Sequence, residues 1–278
     1  LAVKTLVFEE RKVTMAELKQ ALKDNFGKGI IPKKALELTT EVVKELDSQG
    51  VEVNENIIKS VYNNISTAQS IPEEKKKRYQ EILDMIDALP KYGNDIPEVD
   101  SFAREVGNTY TKPFEKFTNP RGGIYQAGLY PVSANVPLGY QTGATPDGRL
   151  AYTPIADGVG PASGRDTKGP TATANSVARL DHGVASNGTL FNQKFHPSAL
   201  SGMDSLEKFV AYLRGYFDQK GMHAQYNVVS KETLLDAQKH PEKYKNLVVR
   251  VAGYSALFTT LSRSLQDDII NRTEQAGL

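Results

Sequence analysis

The chain has 278 residues, enough to bury a sizeable core in one large domain or two small ones. Hydrophobic residues make up 39% and charged residues 24%, an ordinary globular profile, and a net charge of +1 creates no field that favours nucleic acid or an anionic membrane. There is no cysteine, which excludes a disulfide framework, a thiolate zinc site and a cysteine nucleophile within these residues. No apolar run approaches the about 18 residues of a membrane span, and no signal-peptide pattern opens the chain. The expectation is therefore a cytoplasmic protein with neither membrane nor nucleic acid as partner. The first residue, Leu1, is not Met, which fits a chain that begins inside a longer protein.

The segment up to about Leu89 reads as helices. Thr14-Met15-Ala16-Glu17 is a capping box ahead of Leu18, Ala21, Leu22 and Phe26 at helical spacing. Ala35 to Leu46 repeats the pattern. A third helix begins near Pro72, with Tyr79, Ile82, Leu83 and Ile86 on one face and Lys75 to Arg78 as a solvated run. Between Asn119 and Pro170 glycines are dense, yet Ile124, Tyr125, Leu129, Tyr130, Val132 and Val136 are interleaved. That mixture predicts ordered loops around short strands, some lining a site. From Met203 regular elements return. Asp204-Ser205-Leu206-Glu207 should cap a helix with Leu206, Phe209, Val210, Leu213 and Phe217 as its stripe, ended by Gly221. His223 to Val229 alternates like a strand, with Gln225 and Asn227 on one face and Tyr226 and Val228 on the other. Ser230 starts a helix that stops before Pro241, Leu247 to Val251 is a strand, and Ser264 to Glu274 is a closing helix. The alternation predicts an α/β fold.

Most motif readings fail. Gly158-Val159-Gly160-Pro161-Ala162-Ser163 lacks the third glycine and the strand-turn-helix setting of a dinucleotide site. His182, His196, His223 and His240 have no partner four residues away for a metal, and each reads as a structural hydrogen-bonder. One stretch resists the bland reading. Arg250-Val251-Ala252-Gly253-Tyr254-Ser255-Ala256 follows an apolar strand and stops it with a single glycine, without a turn pair such as Asn-Gly.

That stretch resembles the radical motif of the glycyl radical enzymes, the pyruvate formate-lyase-like family. The resemblance extends to Lys91-Tyr92-Gly93-Asn94-Asp95, Asn119-Pro120-Arg121-Gly122-Gly123, Thr142 to Arg149, Ala156-Asp157-Gly158-Val159 and Gly169-Pro170-Thr171-Ala172. Within the family, Gly128 to Pro137, Ala185 to Pro197 and Phe217 to Gly221 are similar to the B12-independent glycerol and propane-1,2-diol dehydratases. Ala252 before the glycine and Tyr254 to Phe258 after it depart from the formate-lyase branch.

The resemblance implies the C-terminal part of a ten-stranded α/β barrel with an α-helical N-terminal segment. Residues 1–118 would form the mainly helical portion, and residues 119–278 the glycyl radical region, with its radical loop near 250–256. Gly253 is then the glycyl radical residue. Glycine alone offers a removable α-hydrogen at a centre that must flatten between two amides, with no side chain to crowd it. Tyr130 is the implied substrate-pocket tyrosine. No cofactor would be bound. A separate S-adenosylmethionine/iron–sulfur activating enzyme installs the radical, which passes to a cysteine and thence to a small diol, releasing aldehyde and water. The family's cysteine is absent here, so a cysteine-bearing N-terminal half is an implied partner, in a homodimer. Alternatives are another glycyl radical lyase (for choline or a sulfonate, or a formate acetyltransferase-like member) and a non-catalytic radical-bearing partner chain. In the family barrel the radical and cysteine loops meet inside.

Overall fold

The structure, a computed structural model, describes residues 39–41, 43–44 and 73–278. The capping box at Thr14 and the helix toward Phe26 lie outside those residues. Of the Ala35–Leu46 helix, residues 39–41 and 43–44 are described and are helical. The chain divides into two units, Leu1–Asp87 with Ser262–Ser264, and Ala88–Leu261 with Leu265–Leu278.

In the first unit, α1 (Glu73–Ala88) forms where Pro72 predicts it. Lys77 and Arg78 are exposed, and Arg78 pairs with Glu81 at 3.1 Å along the helix surface. The stripe expectation needs correction, because Tyr79 and Ile82 are exposed and only Leu83 and Ile86 are half-buried.

The second unit opens with α2 (Pro97–Thr111), which has Pro97 at its first turn and Glu98 and Asp100 at its positive dipole end. The glycine-rich stretch holds β1 (Gly128–Leu129) and a helix that periodicity does not reveal, α3 (Asn135–Gln141). Helix α3 contains Pro137 and Gly139, both poor helix residues. It persists because Gly139 lets the 153–155 backbone approach: a β-carbon there would lie 2.4 Å from the Thr153 carbonyl oxygen. Then come α4 (Pro170–Ala178), β2 (Gly188–Thr189), β3 (Asn192–Phe195) and α5 (Met203–Asp218). They are followed by β4 (Gln225–Val228), α6 (Lys231–Lys239), β5 (Val248–Arg250), β6 (Ser255–Leu257), α7 (Arg263–Asn271) and β7 (Glu274–Gln275).

Strand β3 is central, with β4 and β7 parallel on either side; β1 and β2 form a separate parallel pair, and β5 and β6 an antiparallel hairpin. Parallel strands covered by helices are the α/β signature. Helices α4 and α5 pack on one apolar cluster around Phe191 and Tyr216, while α6, α7 and the hairpin close a second around Leu234, Phe258 and Ile269. Ser230 caps α6 as expected, accepting from the Thr233 amide at 3.1 Å.

Three sequence expectations shift. Helix α5 starts at Met203, after Gly202 in a left-handed conformation (φ +89°), so no capping box at Asp204 is used. Tyr212 and Tyr216 are its buried residues, whereas Leu206, Val210 and Phe217 are exposed. The closing helix ends at Asn271, because the Lys194 ammonium takes the Ile270 carbonyl at 2.7 Å and the chain turns to become β7.

Candidate radical site

The hairpin pairs Val248 with Leu257, Val249 with Ala256 and Arg250 with Ser255. Its turn is Val251 to Tyr254, closed by the Val251 amide donating to the Tyr254 carbonyl at 2.9 Å. Gly253 stands in that turn at φ +84°, a region that disfavours any β-carbon. The demand for glycine is dihedral, since a β-carbon at 253 would meet only Leu190 Cδ1, at 3.5 Å. Val251 and Ala252 are buried at 0% and 1% exposure, and Gly253 itself is exposed. So within these residues the glycine is not enclosed, contrary to the interior placement the family barrel implies. It is not a free-standing turn either.

Polar side chains from four separate segments grip it. Gln225 Oε1, on β4, accepts from the Gly253 amide at 3.2 Å and from Arg250 Nε and Nη2 at 3.2 and 2.8 Å. Gln225 Nε2 donates to Asn192 Oδ1, and Asn192 Nδ2 donates to Asp157 Oδ2 at 2.7 Å. Asn227, two residues along β4, exchanges two hydrogen bonds with the Arg250 backbone, both 2.8 Å. Its amide imitates the strand partner that Arg250 lacks on that edge. Arg272 donates to the Val251 carbonyl at 2.7 Å and is held by Asp268 at 2.9 Å and Asp157 at 3.0 Å. The polar face of β4 is thus buried, and Val228 on its apolar face is exposed.

Tyr130 follows β1. Its ring lies over Gly128 and Gly188, which face each other in the β1–β2 register. A β-carbon at Gly128 would sit 2.6 Å from Tyr130 Cε1. Two residues on, Val132 holds φ +59°, a strained conformation for a β-branched residue. Tyr130 and Gly253 are not in contact. Leu190 links them: its amide donates to the Leu129 carbonyl at 3.2 Å and its side chain reaches toward Gly253.

The other motif residues are fasteners. Asn94 Oδ1 accepts from the Thr167 and Lys168 amides at 2.8 and 3.1 Å, and its Nδ2 donates to the Arg165 carbonyl at 2.7 Å. Tyr92 donates to the Val159 carbonyl at 3.0 Å. Asn119 Oδ1 accepts from the Arg121 and Gly123 amides at 2.9 and 3.0 Å. Arg149 ties the loop after α3, reaching the Thr142 and Thr153 carbonyls at 3.2 and 2.6 Å.

His182, His196 and His223 make side-chain hydrogen bonds, and His240 lies near Asp236 and Glu242. His182 Nε2 meets the Val177 carbonyl and Nδ1 the Thr189 hydroxyl, both at 2.9 Å, and burial pushes its pKa down. His223 Nδ1 accepts from the Phe191 amide at 3.3 Å; burial and then the Arg250 charge push it down. Among the described residues, His196, Glu232 and Glu274 bring metal-capable atoms within 4.8 Å of one another. Glu274 is already served there by the Lys231 amide at 2.6 Å and the Lys194 ammonium at 4.0 Å. Sequence reasoning missed Gln225, Asn192 and Arg272. Only the polar alternation at 225 and 227 hinted at them. No helix among the described residues is long and apolar enough to cross a membrane.

The stretch that carries the resemblance to glycyl radical enzymes thus forms a hairpin turn with Gly253 at positive φ, braced by the Gln225 amide and by the Arg250 and Arg272 guanidinium groups. Comparison with known proteins agrees. Residues 155–259 match the family described as glycine radical, and residues 1–139 the family described as pyruvate formate lyase-like. The chain belongs to the glycyl radical enzyme family and has the α/β architecture of part of that family's barrel. A solved structure for 1,2-propanediol dehydration in Roseburia inulinivorans shares 63% identity at a TM-score of 0.75, over 98% of this chain and 32% of that one. The glycerol-bound B12-independent glycerol dehydratase from Clostridium butyricum shares 50% identity at a TM-score of 0.71, over 87% of this chain and 29% of that one. An indoleacetate decarboxylase from Tractidigestivibacter scatoligenes is 36% identical over 100% of the chain and 28% of its own length. The chain spans less than a third of each relative.

Proposed function

We propose that the chain is the radical-bearing C-terminal part of a diol dehydratase, with Gly253 as the radical residue and residues 119–278 as the glycyl radical region. The observation that carries this is the Gly253 turn: φ +84°, open space around the α-carbon, and a fixed hydrogen bond on the amide. A radical SAM activating enzyme removes one hydrogen atom from Gly253, whose exposure in the described residues leaves it within reach. The unpaired electron is then spread between the nitrogen lone pair and the carbonyl. Gly253 next takes a hydrogen atom from a cysteine thiol on the N-terminal half, and that thiyl takes one from the carbon of a small diol. Departure of the neighbouring hydroxyl as water, with acid–base help from the same half, leaves an aldehyde once the thiol returns its hydrogen atom. Tyr130 lines the pocket on the glycine shelf, where its phenol can hydrogen-bond a substrate hydroxyl. A cytoplasmic homodimer accompanies this reading.

The test is anaerobic activation with the N-terminal half present, read by electron paramagnetic resonance and by product analysis on propane-1,2-diol, glycerol and choline. A doublet from the one remaining α-hydrogen is expected in the wild type, none in Gly253→Ala, and aldehyde from a diol. A doublet that survives Gly253→Ala defeats the radical assignment. Turnover of choline alone would move the chain to the lyase alternative.

A further inference from the structure

A hydrogen bond to the amide of a would-be radical residue is chemically different from one elsewhere in a loop. The α-radical is stabilised by electron donation from its own amide nitrogen. An acceptor on that N–H polarises the bond and increases the donation, as chained hydrogen bonds polarise one another. Resting on the assignment of Gly253, we infer that Gln225 is a positioning residue for the radical: through one carbonyl oxygen it both orients the Gly253 peptide and tunes how much spin remains on the α-carbon.

The geometry is specific to that role. Gln225 is buried at the start of β4, an edge strand of the three-stranded parallel sheet, in register with Asn192 on the central strand, which holds its amide nitrogen. Its orientation is therefore fixed, with nitrogen toward Asn192 and oxygen toward the turn. That oxygen receives three donors, the Gly253 amide and two from Arg250. The guanidinium pair clamps the oxygen in place and leaves it to the glycine as the third contact. Asn227 fixes the Arg250 backbone at the same time, so the turn cannot slide along β4. A merely structural brace would need only the Asn227 contacts. The bond to Gly253 falls on the one peptide unit whose electronics the radical uses.

The experiment compares wild type, Gln225→Met and Gln225→Glu in the activated protein with the N-terminal half present. Methionine keeps the length and removes the acceptor; glutamate keeps an acceptor oxygen. In Gln225→Met the doublet should widen, because more spin stays on the α-carbon beside its hydrogen. Its anaerobic decay should speed up by about fivefold to tenfold, the weight of one lost hydrogen bond. Gln225→Glu should restore the wild-type splitting. A Gln225→Met doublet with wild-type splitting and lifetime overturns the inference while leaving Gly253 as the radical residue. Absence of any doublet in the wild type overturns the Gly253 assignment, and this inference with it. Should Gln225→Met fail to fold, Gln225→Ala removes the acceptor with a smaller side chain. The same widening is expected there, and an unchanged splitting counts against the role.

Discussion

At Gly158 a β-carbon would lie 2.1 Å from the Leu190 carbonyl oxygen, the same oxygen that accepts from the Val159 amide at 2.8 Å. Gly253 is different: its surroundings are open and only its φ is demanding. Gly221 is different again, with the Tyr216 ring 2.3 Å from where a β-carbon would go. These distinctions predict unequal costs. Gly253→Ala should lose about 1–2 kcal/mol, the penalty of a left-handed non-glycine residue, and should still fold. Gly158→Ala must displace backbone and break a buried hydrogen bond, and should lose about 3 kcal/mol or more. Urea denaturation of the two variants checks the order, and equal midpoints would refute the close approach at 158. The motif made Gly253, Gly158 and Asn94 legible in the sequence, because each is a position where one residue type is required. Gln225 was not legible. Its partner lies 28 residues further on, and nothing in a local pattern of alternation says what the polar face will meet.

Element boundaries follow the same logic. Helices α1, α5 and α6 and strands β4 and β5 were written in periodicity, but the burial of α5 and β4 was not. A stripe shows that a helix has an apolar face without saying what covers it. Strand β7 is two residues long, too short to alternate, and exists because Lys194 stops α7 and Asp166 holds Gln275 at 3.0 Å. Lys194 is fully buried in β3, and burial pushes its pKa from the ordinary 10.5 down to about 8, against the opposing pull of Glu274. Between those two values the unfolded lysine binds a proton that the folded one has released. Stability must therefore rise with pH through that window, by about 1–3 kcal/mol. Lys194→Met has no such group. Urea midpoints of wild type and variant from pH 8 to 10.5 should diverge in favour of the wild type, and parallel curves would show that the ammonium is not desolvated.

On the scale of the whole molecule, the apolar surface is in an unusual place. Helix α2 turns Phe102, Val106 and Tyr110 outward at successive turns, with 68%, 54% and 51% exposure. Helix α5 does the same with Met203 at 72%, Leu206 and Val210, which line an open groove with Glu207, Ala211 and Arg214. Aligned apolar stripes on two helices are not what a self-sufficient soluble domain leaves uncovered. The chain spans less than a third of the relatives it matches, and on the function proposed above the cover is the cysteine-bearing N-terminal half. On that reading the exposed Gly253 turn belongs under the same cover, since a radical there would have to reach a thiol that these residues do not contain. The chain prepared without that half should bind a hydrophobic dye strongly and self-associate in light scattering; the assembled protein should do neither. Val210→Glu, on an exposed helix face, should leave the fold of this chain intact and weaken its pairing with the N-terminal half by about tenfold or more, the effect of desolvating a charge in an apolar contact. A monodisperse, dye-silent chain would mean that the stripes are ordinary surface and that the N-terminal half docks elsewhere.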